Sequence, residues 1–361
     1  MNASVGQSLR PLVGVTMGDP AGIGPEVIAM ALKREDVRAS GEFVVYGTPE
    51  AMERAAAAVG LASAINGAAD IEHCVFDAGV VNVVRCGELA LHEYELGKLS
   101  AACGKIAFES VRRAIGDGLA GKIHATATAP LNKEALALAG IKFPGHTEIY
   151  AHFTGATEYA MLLMEGSLRV AHVSTHVSLA DAIKAVTKPR VESVIRLVYE
   201  ALTEMGVSKP RIAVAGLNPH AGENGLFGIE DIEHIVPAVN ATAALGALGP
   251  FPADSVFSRA AGGEFDAVIA MYHDQGHIAL KMVGFRYCKC APDAPSISGI
   301  NVTLGSSVIR CSVDHGTAFD RAGKGTADPG SMATAMITAA EMAAGKLQRE
   351  RSDKGEAPRK E

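Results

Sequence analysis

The chain has 361 residues, which at roughly 150 residues per domain allows one large domain or two lobes. Its 33 basic and 40 acidic side chains leave a net charge of −7, which argues against a general binder of nucleic acid or of acidic membranes. With 48% hydrophobic and 20% charged residues, the composition is that of a globular protein and excludes a disordered chain. Apolar runs rich in β-branched residues alternate with helical patterns, predicting βα units and a mainly parallel sheet. In chain order the readings are strand Leu12–Thr16, helix Gly24–Arg34, strand Phe43–Tyr46, helix Leu99–Leu119 and strand Ile123–Thr128. Strand Arg169–Ser174, helices Leu179–Ala185 and Val191–Met205, strand Arg211–Gly216 and helix Ile229–Leu245 follow. Strands Ala267–Met271 and Ser307–Ser312 and helix Pro329–Ala344 complete the series. In Leu99–Leu119, the residues Ala102, Ile106, Ala107, Val111 and Ile115 share one face at the 3.6-residue period of a half-buried helix.

Two stretches fall outside this alternation. Phe285–Ser298 mixes charges and prolines and reads as a long surface loop, and the charged tail from Lys346 to Glu361 predicts disorder. The first ten residues lack the pattern of a signal peptide, and no apolar run approaches the roughly 18 residues of a membrane span. The six cysteines show no framework spacing, and Cys288-Lys-Cys290 is too close for a zinc pair. The expectation is a cytoplasmic protein with reduced thiols.

There is no Gly-x-Gly-x-x-Gly after a strand and no phosphate-binding Gly-x4-Gly-Lys-Ser/Thr loop. Polar clusters nevertheless follow the strand ends, and open α/β sheets bind ligands beyond the carboxyl ends of their strands. Three of those ends carry His176, His220 and His273. Imidazoles from separate strands can surround one divalent metal and suit Zn, Co, Ni or Fe better than Mg, whereas each alone could simply cap its own turn. Asp274 beside His273 is either an acceptor for that ring or a helix cap. The stretch from Gly18 to Glu26 is either an anion-receiving helix start or a tight connection, and Gly145-His146-Thr147-Glu148 opens an apolar helix. Lys281, Asn301 and Arg310 are candidates for holding phosphate or carboxylate; Arg310, in an apolar strand, calls for an anionic partner or a stem-only burial. The loop from Asp314 through Gly323 to Gly325 is glycine-rich and precedes a helix, so a nucleotide could approach its backbone.

Taken together, the stretches GVTMGDPAGIGPEV, TAPLNKEAL, GHTE, VSTHVSL, LNPHAGENGLFG, MYHDQGHIALK, NVTLG and SVDHGTAFDRAGKG resemble the 4-hydroxythreonine-4-phosphate dehydrogenase family across nearly the whole chain. The resemblance implies an α/β, two-lobed fold like that of isocitrate and isopropylmalate dehydrogenases, with the active site in the interlobe cleft. The lobes implied are residues 1–130 plus 305–346, and 131–304, with 347–361 as a disordered tail. It further implies one divalent metal per site (Zn, Mn, Co or Mg) held by His176, His220 and His273, in a homodimer whose subunits share those ligands. Substrate contacts fall to His146, Thr147, Lys281, Asn301 and Arg310, with Lys281 and Asp274 as catalytic groups and Lys133 or metal-bound water as other proton acceptors. NAD, or NADP, would lie against Asp314, His315, Gly316 and Gly323.

The chain departs from the biosynthetic members in a longer segment between Lys281 and Asn301, in HDQGHIALK, in Ser306-Ser307 and in Cys311. The first two features are more similar to the second paralogue group, the D-threonate- or D-erythronate-4-phosphate dehydrogenases. The expected reaction is NAD-dependent oxidation of a secondary alcohol β to a carboxylate, then loss of CO2. Its substrate would be 4-phosphohydroxy-L-threonine, giving 3-amino-2-oxopropyl phosphate, or a sugar-acid 4-phosphate, giving dihydroxyacetone phosphate. The alternatives are a cis-dihydrodiol carboxylate dehydrogenase of aromatic degradation and a non-catalytic metal- or phosphate-ligand binding protein.

Overall fold

The structure is a computed structural model, and it describes residues 10–284 and 299–353. The chain divides into two compact units, Met1–Ala156 with Ser306–Glu361, and Thr157–Gly305. The expected loop at 285–298, with Cys288 and Cys290, lies outside the described residues; Cys74, Cys86, Cys103 and Cys311 form no disulfide among the described residues.

Unit 1 begins with β1 (Leu12–Thr16), α1 (Gly24–Lys33), α2 (Glu35–Ser40), β2 (Glu42–Gly47) and α3 (Pro49–Val59). It continues through β3 (Ala64–Ala68), β4 (Val80–Arg85), α4 (Ala101–Leu119), β5 (Ala125–Thr128), α5 (Lys133–Leu138) and α6 (His146–Thr154). α4 starts where the Ser100 hydroxyl accepts from the Cys103 amide, and it buries Ile106, Ala107, Val111 and Ile115, the face predicted from its periodicity. Residues 131–156, read from the sequence as the start of the second lobe, belong to unit 1, because α5 and α6 pack on α4.

Unit 2 holds β6 (Ala160–Glu165), β7 (Leu168–His172), α7 (Leu179–Ala185), α8 (Lys188–Glu204), β8 (Ile212–Ala215) and α9 (Val236–Ala241). Then come β9 (Ala247–Phe251), α10 (Ala253–Ala261), β10 (Ala267–Ala270), α11 (His273–Gly284) and β11 (Ile300–Leu304). Its strand order is β11-β6-β7-β10-β8-β9, and β6 runs antiparallel to both neighbours. A helix continuous over 229–245 does not form: Pro237 supplies no amide, and the segment breaks into a π turn at Asp231–Ile235, α9 and a 3-10 turn.

The chain returns to unit 1 with β12 (Ile309–Val313) and α12 (Gly330–Asp353). Unit 1's strands, ordered β3-β4-β2-β1-β5-β12, are all parallel, so β1, β5 and β12 end along one edge. α12 packs on β5 and β12 through small buried side chains such as Ala335, Ala339 and Ala343. It runs to Asp353, which corrects the expected disordered tail over 347–353; residues 354–361 lie outside the described part.

Candidate functional site

In unit 2 the strands β7, β10 and β8 are adjacent and parallel, so the segments after them emerge along one edge. Those segments carry His176, His273 and His220. The rings of His176 and His273 lie 5.6 Å apart between centroids. His273 opens α11, and its Nδ1 lies 2.7 Å from Asp274 Oδ1, which leaves Nε2 as the nitrogen available to a ligand. His220 sits apart, beside the Phe227 ring at 6.2 Å. Among the described residues of one copy, no group of three or more His, Cys, Asp or Glu side chains stands close enough to hold a metal ion.

Two further histidines crowd His273. His277, one turn along α11, stacks on it at 3.6 Å, and His172, buried at the end of β7, lies 4.8 Å from His277. Burial, then the neighbouring imidazoles, pushes His172 down to about 3, so it is neutral at ordinary pH. Its approach to α11 depends on Gly276, where a Cβ would fall 2.4 Å from His172 Nε2. The four-residue spacing between His273 and His277 is legible in the sequence; His172 reads there only as a strand residue.

The loop bearing His220 is built differently. His220, Ala221, Gly222, Glu223 and Asn224 all have positive φ, a left-handed turn that non-glycine residues adopt at a cost. Buried Asp231 anchors its start, accepting from the Leu217 amide at 2.9 Å and from the Asn218 amide at 3.0 Å. Asp231 belongs to no motif, so the sequence offers no sign of this role.

Unit 1 carries a different chemistry. Arg310 on β12 is 3% exposed, lies over the Tyr150 ring at 5.4 Å and donates through Nη2 to the Thr128 hydroxyl at 3.3 Å. Tyr150 is fixed in turn by its hydroxyl, which donates to Thr126 Oγ1 at 2.7 Å. Burial brings Arg310 down to about 10, which leaves it cationic at neutral pH. His146, the first residue of α6, is held neutral by burial and by the Arg310 charge, well below the usual histidine range. Its covered Nε2 has no hydrogen-bond partner among the described residues. Thr147 follows in the first turn of α6. Lys281 falls on α11 and Asn301 on β11, both in unit 2.

The turn after β1 is a tight connection. Asp19 accepts from the Ala21 amide, and the Gly22 and Ile23 amides bond Asp19 O and Thr317 O. Those donors are therefore already used. Asp314, His315 and Gly316 follow β12; His315 Nδ1 meets Gly316 O at 3.0 Å, its Nε2 is covered without a partner among the described residues, and the space beside the Gly316 backbone is open. A cleft of about 290 Å³ lined by Arg10, Arg38 and Phe76 lies elsewhere in unit 1, near the start of β2, and holds none of these groups.

Imidazoles after adjacent strands in unit 2, and a buried guanidinium beside a neutral imidazole in unit 1, define an α/β protein with polar side chains held at its strand ends. Residues 39–339 match the family of the pyridoxal phosphate biosynthetic protein PdxA. The chain is 46% identical over 336 residues to D-threonate 4-phosphate dehydrogenase of Cupriavidus necator, covering 92% of this chain and 97% of that protein. It is 47% identical over 326 residues to 4-hydroxythreonine-4-phosphate dehydrogenase of Beijerinckia indica, covering 90% and 92%. The crystal structure of a 4-hydroxythreonine-4-phosphate dehydrogenase from Burkholderia phymatum aligns with a TM-score of 0.79 at 44% identity, over 92% of this chain and 98% of that one. The chain belongs to the PdxA family, as its motifs indicated, and is an oxidoreductase acting on CH–OH groups.

Proposed function

We propose that this chain oxidises the hydroxyl β to the carboxylate of a four-carbon acid 4-phosphate with NAD, and that the keto acid formed then loses CO2. D-threonate 4-phosphate is the substrate we favour over 4-phosphohydroxy-L-threonine. Support comes from the name of the Cupriavidus necator relative and from the HDQGHIALK segment. The observation that carries the reading is the Arg310–His146 corner. A permanent cation lies there beside a neutral imidazole whose covered Nε2 has no partner among the described residues, and a phosphate group satisfies both. In this reading Thr147, Lys281 and Asn301 complete the substrate contacts, and binding energy from the remote phosphate orients the reacting carbon.

His176, His220 and His273 would hold a divalent cation, and their nitrogen donors suit zinc or cobalt better than magnesium. The chemistry such groups would supply when bound is Lewis-acid polarisation, from the cation, and the capacity to accept hydride, from the dinucleotide. Asp274 fixes the His273 ring through Nδ1, and Lys281 Nζ, as the neutral amine, would take the hydroxyl proton as hydride leaves and return it to the carbon from which CO2 departs. Asp314, His315, Gly316 and Gly323 would line the dinucleotide.

The functional unit is proposed to be a homodimer in the cytoplasm. One copy brings His176 and His273 together without His220, which supports ligands drawn from two subunits. Among the described residues, no helix is long and apolar enough to cross a membrane. The test is NADH formation, followed by absorbance, with D-threonate 4-phosphate, D-erythronate 4-phosphate or 4-phosphohydroxy-L-threonine, each with Zn2+, Mn2+ or Mg2+. Turnover of D-threonate 4-phosphate, with dihydroxyacetone phosphate as product, is expected. Turnover of the amino-acid phosphate alone would overturn the substrate assignment.

A further inference from the structure

Glu26 has no part in the reading above. It lies in the second position after Gly24 in α1, is 4% exposed, and no basic side chain pairs with it among the described residues. A carboxylate so buried is costly unless donors surround it. Its donors come from the far end of the chain: Oε1 accepts from the Gly323 amide and Oε2 from the Gly325 amide at 2.7 Å. Both oxygens of one carboxylate therefore grip alternate amides of a single loop.

That loop, residues 314–329, contains no helix or strand. Gly323 and Gly325 adopt φ of +82° and +61°, and a Cβ on Gly323 would fall 2.6 Å from Leu96 Cδ1. The loop backbone is therefore bent into a form that suits glycine and is tied from outside by a charged acceptor. A second tie runs between the same segments, from the Ile23 amide to Thr317 O at 3.0 Å.

We propose that Glu26 is a positioning residue for the dinucleotide: it sets the Gly323–Gly325 backbone against which NAD is bound, without touching the reacting atoms. This inference rests on the cofactor reading of the 314–323 segment given above. It predicts a defect confined to the dinucleotide. In Glu26→Gln one amide donor would face the side-chain NH2, so one charge-assisted bond is lost and the other weakened.

The experiment is a fluorescence titration of NADH into the full-length wild type, Glu26→Gln and Glu26→Asp, with melting temperature and steady-state kinetics on the same samples. Glu26→Gln is expected to raise the NADH Kd and the KM for NAD about tenfold. Its kcat at saturating NAD and its KM for the phosphorylated acid should stay within about twofold, the split expected of lost uniform binding of one ligand. Glu26→Asp keeps the charge on a shorter stem and should fall between the two; it serves as the probe should Glu26→Gln not fold. A folded variant of either kind with wild-type NADH affinity, or with NAD and substrate KM raised alike, overturns the positioning role. Wild-type protein that binds neither NADH nor NADPH overturns the cofactor reading beneath it.

Discussion

Asp19 shows how a strand-end residue can be committed to the fold at the cost of stability. It is fully buried, only one of its oxygens finds a donor in the Ala21 amide, and burial raises its carboxyl to about 6. The unfolded chain releases this proton near 3.8, so between that pH and about 6 the folded state binds more protons. Its charge therefore costs nothing in acid and costs about 3 kcal/mol once pH passes the folded value. Asp19→Asn, measured by urea unfolding, should gain stability relative to wild type as pH rises from about 4 to about 7. A gap that stays constant with pH would show that this carboxyl does not titrate in the folded protein. Arg310 is the opposite case: it stays charged throughout, so its burial is a fixed cost offset by Tyr150, Thr128 and any anion it receives.

At the scale of elements, what was legible followed from periodicity. β1 falls on Leu12–Thr16 as read, and α4 buries the face its apolar spacing marks. β3 was not legible, because Ala64–Ala68 is a half-exposed edge strand of weak β-formers. β6 and β7 form a two-residue hairpin at Gly166-Ser167; only the second strand was read from the sequence, because the apolar run of β6, residues 160–164, contains no β-branched residue. The positions of His176, His220 and His273 after β7, β8 and β10 were legible from the strand pattern, and the pairing of the His176 and His273 rings was not. The roles of Glu26 and Asp231 were not legible, since each grips backbone amides outside its own element, 297 and 299 positions away for Glu26 and 14 and 13 for Asp231, and so leaves no local pattern. Gly276 is the point where element packing and site chemistry meet. Its Cβ in Gly276→Ala would lie 2.4 Å from His172 Nε2 and 2.7 Å from Val170 Cγ1, both fixed on β7. The variant should lose about 1–3 kcal/mol in urea unfolding, because α11 must move off the sheet. Wild-type stability in Gly276→Ala would mean that His172 can yield without cost.

For the whole molecule, the exposed apolar side chains are unevenly distributed. Leu226 is 72% and Met282 79% exposed, and Phe227, Ile229, Ile232, Ile278 and Val283 are exposed as well, all in unit 2 beside the His220 loop or along α11. The proposed homodimer would bury apolar surface of this kind. The protein should sediment at about twice the monomer mass of 37.4 kDa. Leu226→Asp combined with Met282→Glu should shift it toward the monomer; a wild type that is monomeric at micromolar concentration would sink the assignment.

The return of the chain to unit 1 also dictates an order of assembly during synthesis. Thr128 and Arg310 meet across 182 positions, and β12 pairs with β5 only after all of Thr157–Gly305 has been made. The intervening unit can therefore close while the first still waits for its last strand and helix, as domains folding during translation do. The corner that would receive the phosphate is then among the last parts completed. A nascent chain halted before Ile309 should show protease resistance in the inserted unit but gain none from added phosphate ligand, since the guanidinium that would hold it has not yet been made.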